Sequence, residues 1–495
     1  MYFLYSLGLT VCFLALFPYF VYQAVKHGKY SHSFRQRLGW LPADLNNRSA
    51  PAIWVHAVSV GEFLAAEPLI TALRSLHPEY RIAVSTTTLT GQRLAASRLG
   101  VGSEAGSRAI SGAVQPGGRS GELTTPALGA ILGVFYFPFD WMFAVRRSLD
   151  RISPAAVIVL ETEIWPNFLR ECDRRRIPVM LANGRISPRS ARRYLRVRSF
   201  IKKVLDNFTL MLMQSQGDAE RITSMGAESS RVRVCGNLKY DIQGQGPGSQ
   251  ESSCSAELDR AFNLSKTSNL IVAGSTAPGE EKMLLSAFKT IKQNEALKDA
   301  RLLIAPRHPE RFPEVAKLIS TRGLSFVRRS ECKAGDASSV ASDVILLDSI
   351  GELASVYRFA AVVFVGGSLV RRGGHNILEA AIHSKPVIVG PFTDNFRQMV
   401  GDFVAARAAI QITAGAALQI RAGDPNQMVA SLTQELTRLL LDKQAAHGMG
   451  ERARKLLVEN QGAARRMMAA ISPLLAGAAP AGATQPHLPA SPEAY

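Results

Sequence analysis

Apolar residues along this chain fall into short β-branched clusters. Each is followed by a polar or glycine-rich turn, then by a segment with apolar positions three and four apart. Ile53–Val58 (IWVHAV) predicts a buried strand, Ser59–Glu62 a turn, and Phe63–Leu76 a helix. The unit recurs at Arg81–Ser85 with Thr90–Leu99, at Ala156–Leu160 with Pro166–Arg175, at Pro178–Ala182 with Pro188 onward, and at Thr209–Met213 with Asp218–Met225, and Val232–Cys235 closes the series. After a polar, glycine-rich stretch (residues 242–258) the alternation resumes, with strands predicted at Leu270–Thr276, from Arg301, from Val344, at Ala360–Val365 and from Pro386. Strand–helix alternation of this length predicts parallel sheets covered by helices. Its 495 residues suffice for two such domains.

The two ends of the chain have a different pattern. Met1–Val25 has no charged residue and is apolar over most of its length, with Tyr2, Tyr5, Tyr19 and Tyr22 near its ends and Lys26, Lys29, Arg35 and Arg37 following. That predicts an uncleaved membrane anchor with the rest of the chain on the cytoplasmic side. Pro18 keeps open a helix that lies in the membrane interface instead. Gly100–Leu128, rich in Gly, Ser and Ala without periodicity, predicts a flexible insertion, and residues 476–495 a disordered tail. The expected domains are therefore an anchor (1–25), a first α/β domain (26–241), a linker (242–258) and a second α/β domain (259–475).

Charge narrows the partners. A formal net charge of +18 points to anionic ones. Eleven lysines and arginines with no acid between Arg174 and Leu205 point to anionic headgroups or a phosphorylated lipid. Five scattered cysteines without a CxxC pair argue against a disulfide framework or a zinc site.

In parallel α/β sheets ligands sit beyond the carboxyl ends of the strands, and this chain has polar groups at several of those ends. Glu62 lies in the first turn of a helix and is a candidate general base, with a helix-dipole carboxylate as the alternative. Glu161 and Glu163 follow another strand, Asn183 and Arg185 a third, and Asn237 and Lys239 a fourth. In the second half Ser275, Arg307, Gly351 and Gly374–Glu379 converge on one sheet edge. The stretch GGSLVRRGGHNILEAA (Gly366–Ala381) joins a strand to a helix-like pattern, a combination that presents backbone N–H groups to an anion. Neither a dinucleotide fingerprint nor a GxxxxGK[ST] loop is present, which removes most of the weight from dehydrogenase and ATPase readings.

HAVSVGE (His56–Glu62), LETEIWPN (Leu160–Asn167), GNLKYD (Gly236–Asp241), PRHPERF (Pro306–Phe312) and FVGGSLVRRGGHNILEAA (Phe364–Ala381) closely resemble, in order, motifs of the Kdo (3-deoxy-D-manno-octulosonic acid) transferases of lipid A biosynthesis. The resemblance implies a GT-B glycosyltransferase with two Rossmann-like domains facing a cleft. It implies inverting transfer of Kdo from CMP-Kdo to a lipid A precursor (lipid IVA) at the cytoplasmic face of an inner membrane, with no metal or cofactor and no nucleic-acid partner. By the same resemblance Glu62 is the base, and Glu161 and Lys239 stabilise the transition state. Pro306, Arg307, Ile350, Gly351, Glu352, Asn376, Ile377, Leu378 and Glu379 hold the CMP of the donor, with Ser275 and Gly374 beside them. Two alternatives stay open at this stage: a membrane-associated GT-B transferase using a UDP-sugar, and a basic membrane-tethered binding protein without catalysis.

Overall fold

A computed structural model of the protein describes residues 1–27, 31–46, 50–101, 130–241, 250–332, 342–412 and 424–478. Residues 102–128 of the expected flexible insertion, residues 242–249 of the expected linker and nearly all of the expected tail lie outside the described residues. The chain divides into two compact units, Met1–Asp241 with Gln461–Tyr495, and Ile242–Asn460.

The first unit is built on a seven-stranded parallel sheet: β1 (Ala52–His56), β2 (Arg81–Thr86), β3 (Ile131–Tyr136), β4 (Pro154–Leu160), β5 (Val179–Gly184), β6 (Leu210–Met213) and β7 (Val232–Val234). Their order is β3-β2-β1-β4-β5-β6-β7, every pair parallel. The topology switches between β1 and β4, the place where such sheets bind ligands. Six strands agree with expectation, and β3, just after the insertion, was not anticipated. The sheet is buried on both faces, because each strand alternates its side chains between two helix layers. Trp54, Phe135, Phe137 and Phe168 pack on one side, and Val55, Phe63, Leu69 and Tyr80 on the other.

The second layer includes the last helix of the chain (Ala463–Ala478), whose Met467, Ile471 and Leu475 join the first unit's core. Asp241 fixes its start: Oδ1 accepts from Gly462 N (2.6 Å) and Ala463 N (3.2 Å), and Oδ2 from Ala464 N (2.5 Å). A carboxylate on the free N–H groups of a helix N-terminus satisfies donors that have no partner inside the helix. The second domain was expected to run to residue 475. It stops at Asn460, and the final helix belongs with the first unit.

The second unit has its own seven-stranded parallel sheet: β8 (Leu270–Thr276), β9 (Arg301–Pro306), β10 (Phe326–Arg328), β11 (Val344–Leu346), β12 (Val362–Val365), β13 (Val387–Val389) and β14 (Ala409–Gln411). The order β10-β11-β9-β8-β12-β13-β14 places its switch point between β8 and β12. The short edge strands β10 and β14 were not expected. The expected linker is helical from Gln250 onward (Gln250–Phe262), because Leu258, Ala261 and Phe262 bury an apolar stripe.

The N-terminal segment is a helix, Tyr2–His27, packed on the first unit. Tyr5 Oη donates to Asp140 Oδ2 (2.9 Å), Asn167 Nδ2 donates to Ser6 Oγ (2.9 Å), and Trp141 Nε1 donates to Thr10 Oγ1 (3.2 Å). Asp140 is 2% exposed and also accepts from the N–H groups of Asn167 and Phe168, so the carboxyl that starts helix Pro166–Arg174 also seats the N-terminal helix. Phe3, Leu4, Leu7, Val11 and Leu14 point outward and are exposed. Among the described residues no helix is long and apolar enough to cross a membrane. The expected crossing of residues 1–25 is thus unsupported, and one face of the helix already has polar partners in the protein.

Candidate active site

Glu62 owes its position to a capping arrangement at the switch point of the first sheet. After β1 the chain turns at Ser59, whose extended backbone (φ −125°, ψ 171°) starts helix Val60–Leu76. Glu62 N donates to Ser59 Oγ (3.4 Å), Ser59 Oγ donates to Glu62 Oε1 (3.3 Å), and Val58 N donates to Glu62 Oε2 (2.8 Å). This is a variant of the Ser-x-x-Glu capping box in which the carboxylate reaches back to Val58 N and to the Ser59 hydroxyl. The helix-carboxylate alternative is therefore realised, but it does not exhaust the residue. Burial, then the nearby negative charge of Glu161, pushes the Glu62 carboxyl up to about 7 against the opposing pull of the Val58 N–H. A carboxyl titrating near neutrality is poised to take up a proton.

Across the switch point, Glu161 directly follows β4 in the left-handed region (φ 57°), its N–H donating to Ala182 O (3.0 Å). A non-glycine residue there is uncommon and marks strain held by its surroundings. Lys239 Nζ lies 3.2 Å from Glu161 Oε1, with side-chain exposures of 23% and 16% that leave the pair only partly screened by water. Among the described residues Glu163 has no cationic partner: burial first and Glu161 second push it up to about 7. Three carboxyl groups thus gather at one sheet edge around one neighbouring lysine. Among the described residues no group of three or more His, Cys, Asp or Glu side chains could hold a metal ion.

Lys239 is set in place by two asparagines. Asn237 Oδ1 accepts from Lys239 N (2.9 Å), and the buried Asn183 Oδ1 accepts from Leu238 N (3.0 Å). Asn183 itself sits at φ 54°, and Gln214 Nε2 donates to its carbonyl (3.0 Å). The one-turn segment Leu238–Tyr240 packs against helix Val60–Leu76, which brings Lys239 to the edge that bears Glu62. Both asparagines are legible in the sequence as polar strand ends, but the bond from Leu238 N to Asn183, fifty-five residues apart, leaves no local pattern.

His56, inside the HAVSVGE motif, is fully buried at the end of β1 and stacks on Phe137 with ring centroids 3.9 Å apart. Its Nδ1 lies 2.9 Å from Ser85 Oγ and 3.2 Å from Ser85 O, and burial lowers its pKa to about 3. It is a neutral part of the core supporting the Glu62 turn.

In the second unit, Pro306 closes β9, and Arg307 follows it with its N–H on Thr276 O (3.0 Å) and its side chain exposed. Ser275, at φ 55°, lies in the neighbouring strand end. Gly366 lets the loops after β8 and β12 touch: a Cβ there would stand 2.4 Å from Ser275 O. Gly374 takes φ 75°, and its N–H donates to Gly367 O (2.8 Å). Asn376 Oδ1 accepts from Leu378 N (3.2 Å), while Ile377 and Leu378 are fully buried and serve to seat the loop.

One expectation here changes. The helix after the glycine-rich stretch is a single turn, Leu378–Ala381, so it lacks the length for a substantial dipole at its start. Glu352 is held by Arg329 through two bonds (2.9 and 3.1 Å) and by Ser349, so its carboxylate is occupied, while Ile350 beside it is 80% exposed. His375, which was not singled out from the sequence, is half-buried, and burial, then the charges of Arg307 and His308, lowers its pKa to about 4. Arg307, His308 and His375 therefore share one electrostatic neighbourhood, suited to an anionic group.

Known proteins of one family are similar to this chain. The family model described as 3-deoxy-D-manno-octulosonic-acid transferase (kdotransferase) matches residues 32–242. The chain is 31% identical to the 3-deoxy-D-manno-octulosonic acid transferase of Bordetella pertussis, over 85% of this chain and 87% of that protein. It is 29% identical to the enzyme of the same name from Haemophilus influenzae, over 94% of this chain and 96% of that one. Among solved structures it is similar to the C-terminal CMP-Kdo binding domain of WaaA from Acinetobacter baumannii, at 30% identity and a TM-score of 0.35, covering 41% of this chain and 96% of that domain. With most of its length aligned to such relatives, the chain belongs to the 3-deoxy-D-manno-octulosonic acid transferase family, a family of glycosyltransferases.

Proposed function

We propose that this protein transfers Kdo from CMP-Kdo to a lipid A precursor, with inversion at the anomeric carbon. Glu62 removes the proton from an acceptor hydroxyl as its oxygen bonds to the anomeric carbon of Kdo, while the bond from that carbon to the CMP phosphate breaks. The observation that carries this reading is the Glu62 carboxyl, held at about 7 beside Glu161 at the switch point of the first sheet. The Glu161–Lys239 pair supplies fixed charge near the reacting centre, where preorganised groups act without reorganisation. The departing CMP gains negative charge, and Arg307 with the segment from Gly374 to Glu379 is the part of the second unit suited to receive it.

The acceptor is a lipid, and the N-terminal helix fits membrane contact. Its outward side chains, Phe3, Leu4, Leu7, Val11 and Leu14, form an apolar stripe. Nearby, Arg147 lies over the rings of Trp40 and Phe143, an aromatic–cation mixture suited to headgroup level. We read the helix as lying along the cytoplasmic surface of an inner membrane instead of crossing it.

Incubating the purified full chain with CMP-Kdo and a tetra-acylated lipid A precursor, followed by mass spectrometry, tests the proposal. Appearance of a Kdo-bearing product supports it. Thermal stabilisation by UDP and not by CMP, with no Kdo product, would overturn it in favour of a UDP-sugar transferase.

A further inference from the structure

Glu280 opens helix Glu280–Ile291, directly after the turn that follows β8, and is fully buried. Its carboxylate accepts four backbone N–H groups. Oε2 accepts from Ala277 (2.8 Å) and Gly367 (2.7 Å), and Oε1 from Ser368 (2.9 Å) and Leu369 (2.8 Å). Three of those donors are successive amides of the glycine-rich turn after β12. The bonds cross from the loop after β8 to the loop after β12, the two strands that flank the switch point of the second sheet. Ser368 extends the link to β13: its Oγ accepts from Gly390 N (2.8 Å) and its carbonyl from Phe392 N (2.9 Å).

The neighbouring Glu281 works in the other direction. It accepts from Thr276 Oγ1 (2.8 Å) and takes a two-bond contact from Arg311 (2.6 and 3.1 Å), which anchors the loop carrying Arg307. Two adjacent carboxylates thus tie together the loops that carry most of the donor-binding candidates. A carboxylate buried without a cation is costly unless its lone pairs are filled, and successive backbone amides are a standard way to fill them.

The glycine-rich turn looks in sequence like a phosphate cradle, yet its amides hold an anion of the protein's own. Resting on the donor reading above, we infer that Glu280 is a positioning residue. It serves as the resident anion of the turn at Gly367–Leu369, fixes that turn before any ligand arrives, and so leaves the donor phosphate to Arg307 and the segment from Gly373 to Glu379.

Hydrogen–deuterium exchange on the full chain, with and without CMP, tests this. The expected result is strong protection of amides 367–369 in the free protein, unchanged by CMP, with new protection appearing across 373–379. Fast exchange at 367–369 in the free protein, slowed by CMP, would overturn the inference. If CMP protects no segment while 367–369 stay protected, the clamp stands and the nucleotide reading is what fails. Glu280→Gln supplies a second readout. An amide in place of the carboxylate opposes N–H to N–H, so the donor KM should rise about tenfold or more with kcat changed less than about threefold. A folded Glu280→Gln protein with wild-type donor KM and wild-type protection at 367–369 would also overturn it. Should that variant not fold, the exchange pattern of the unaltered chain decides.

Discussion

Lys239 Nζ stands 3.2 Å from Glu161 Oε1, although the two residues follow different, non-adjacent strands of the first sheet. The pair places one positive charge beside three carboxyl groups, two of which titrate near 7. That balance governs when Glu62 can act as a base. Because its pKa is raised, the ionised form predominates only above about 7, and kcat/KM should fall about tenfold per pH unit below that value. A pH–rate profile of the wild-type enzyme checks this.

Replacing Lys239 by Met leaves Glu161 without its partner cation. Ionising Glu62 then becomes harder, so the acid limb should move to higher pH, and kcat at the optimum should fall about 10²–10³-fold with lost transition-state stabilisation. An unmoved limb would mean that Lys239 does not set the charge at the site.

Glu163→Gln is expected to do the reverse. Removing a like charge eases ionisation of Glu62, and the acid limb should shift to lower pH. The sign for stability follows from linkage. A half-buried carboxyl whose folded pKa is raised to about 7 disfavours the folded state increasingly as pH rises from the unfolded value near 4.5 to about 7, and fully above it. The variant's Tm relative to wild type should therefore improve on going from pH 5 to pH 8. Differential scanning calorimetry at both values checks it.

Asn183→Ala removes the acceptor that holds Leu238 N and puts alanine at φ 54°. Misplacing the Lys239 turn should lower kcat about tenfold or more while the donor KM stays within about twofold, with a loss of about 1–3 kcal/mol in stability. A donor KM effect as large as the kcat effect would contradict the assignment of this asparagine to the first unit's chemistry.

Charges on the outer stripe of the N-terminal helix should release the protein from lipid. The double change Leu7→Glu and Val11→Glu alters side chains that are 50% and 57% exposed, so folding should be intact while co-sedimentation with anionic vesicles drops. Unchanged sedimentation would remove this helix from the membrane contact.

Much of the fold was legible from the chain because its strands are buried on both faces and read as continuous β-branched runs. Leu270–Thr276 coincides with β8 residue for residue. What escaped has physical reasons. β3 emerges directly after a glycine- and serine-rich stretch, and its Gly133 breaks the apolar run. β10 and β14 are three-residue edge strands with mostly half-buried side chains, too short to show a period. The return of the last helix to the first unit depends on Asp241, more than two hundred residues upstream. At the site, Glu62, Glu161 and Lys239 were legible from motifs and proved to share one sheet edge. Asn183 reads as a strand-end group and Glu280 as a first-turn carboxylate, but their bonds to Leu238 N and to the amides of 367–369 are distant in sequence, and no local pattern marks those.

If Glu62 is the base for Kdo transfer, its carboxylate cannot be replaced by an amide, as in Glu62→Gln, without loss of turnover. With CMP-Kdo and a lipid A precursor, the variant should bind CMP as the wild type does and form product about 10²–10⁴-fold more slowly. Near-normal turnover by a correctly folded Glu62→Gln protein would contradict the account.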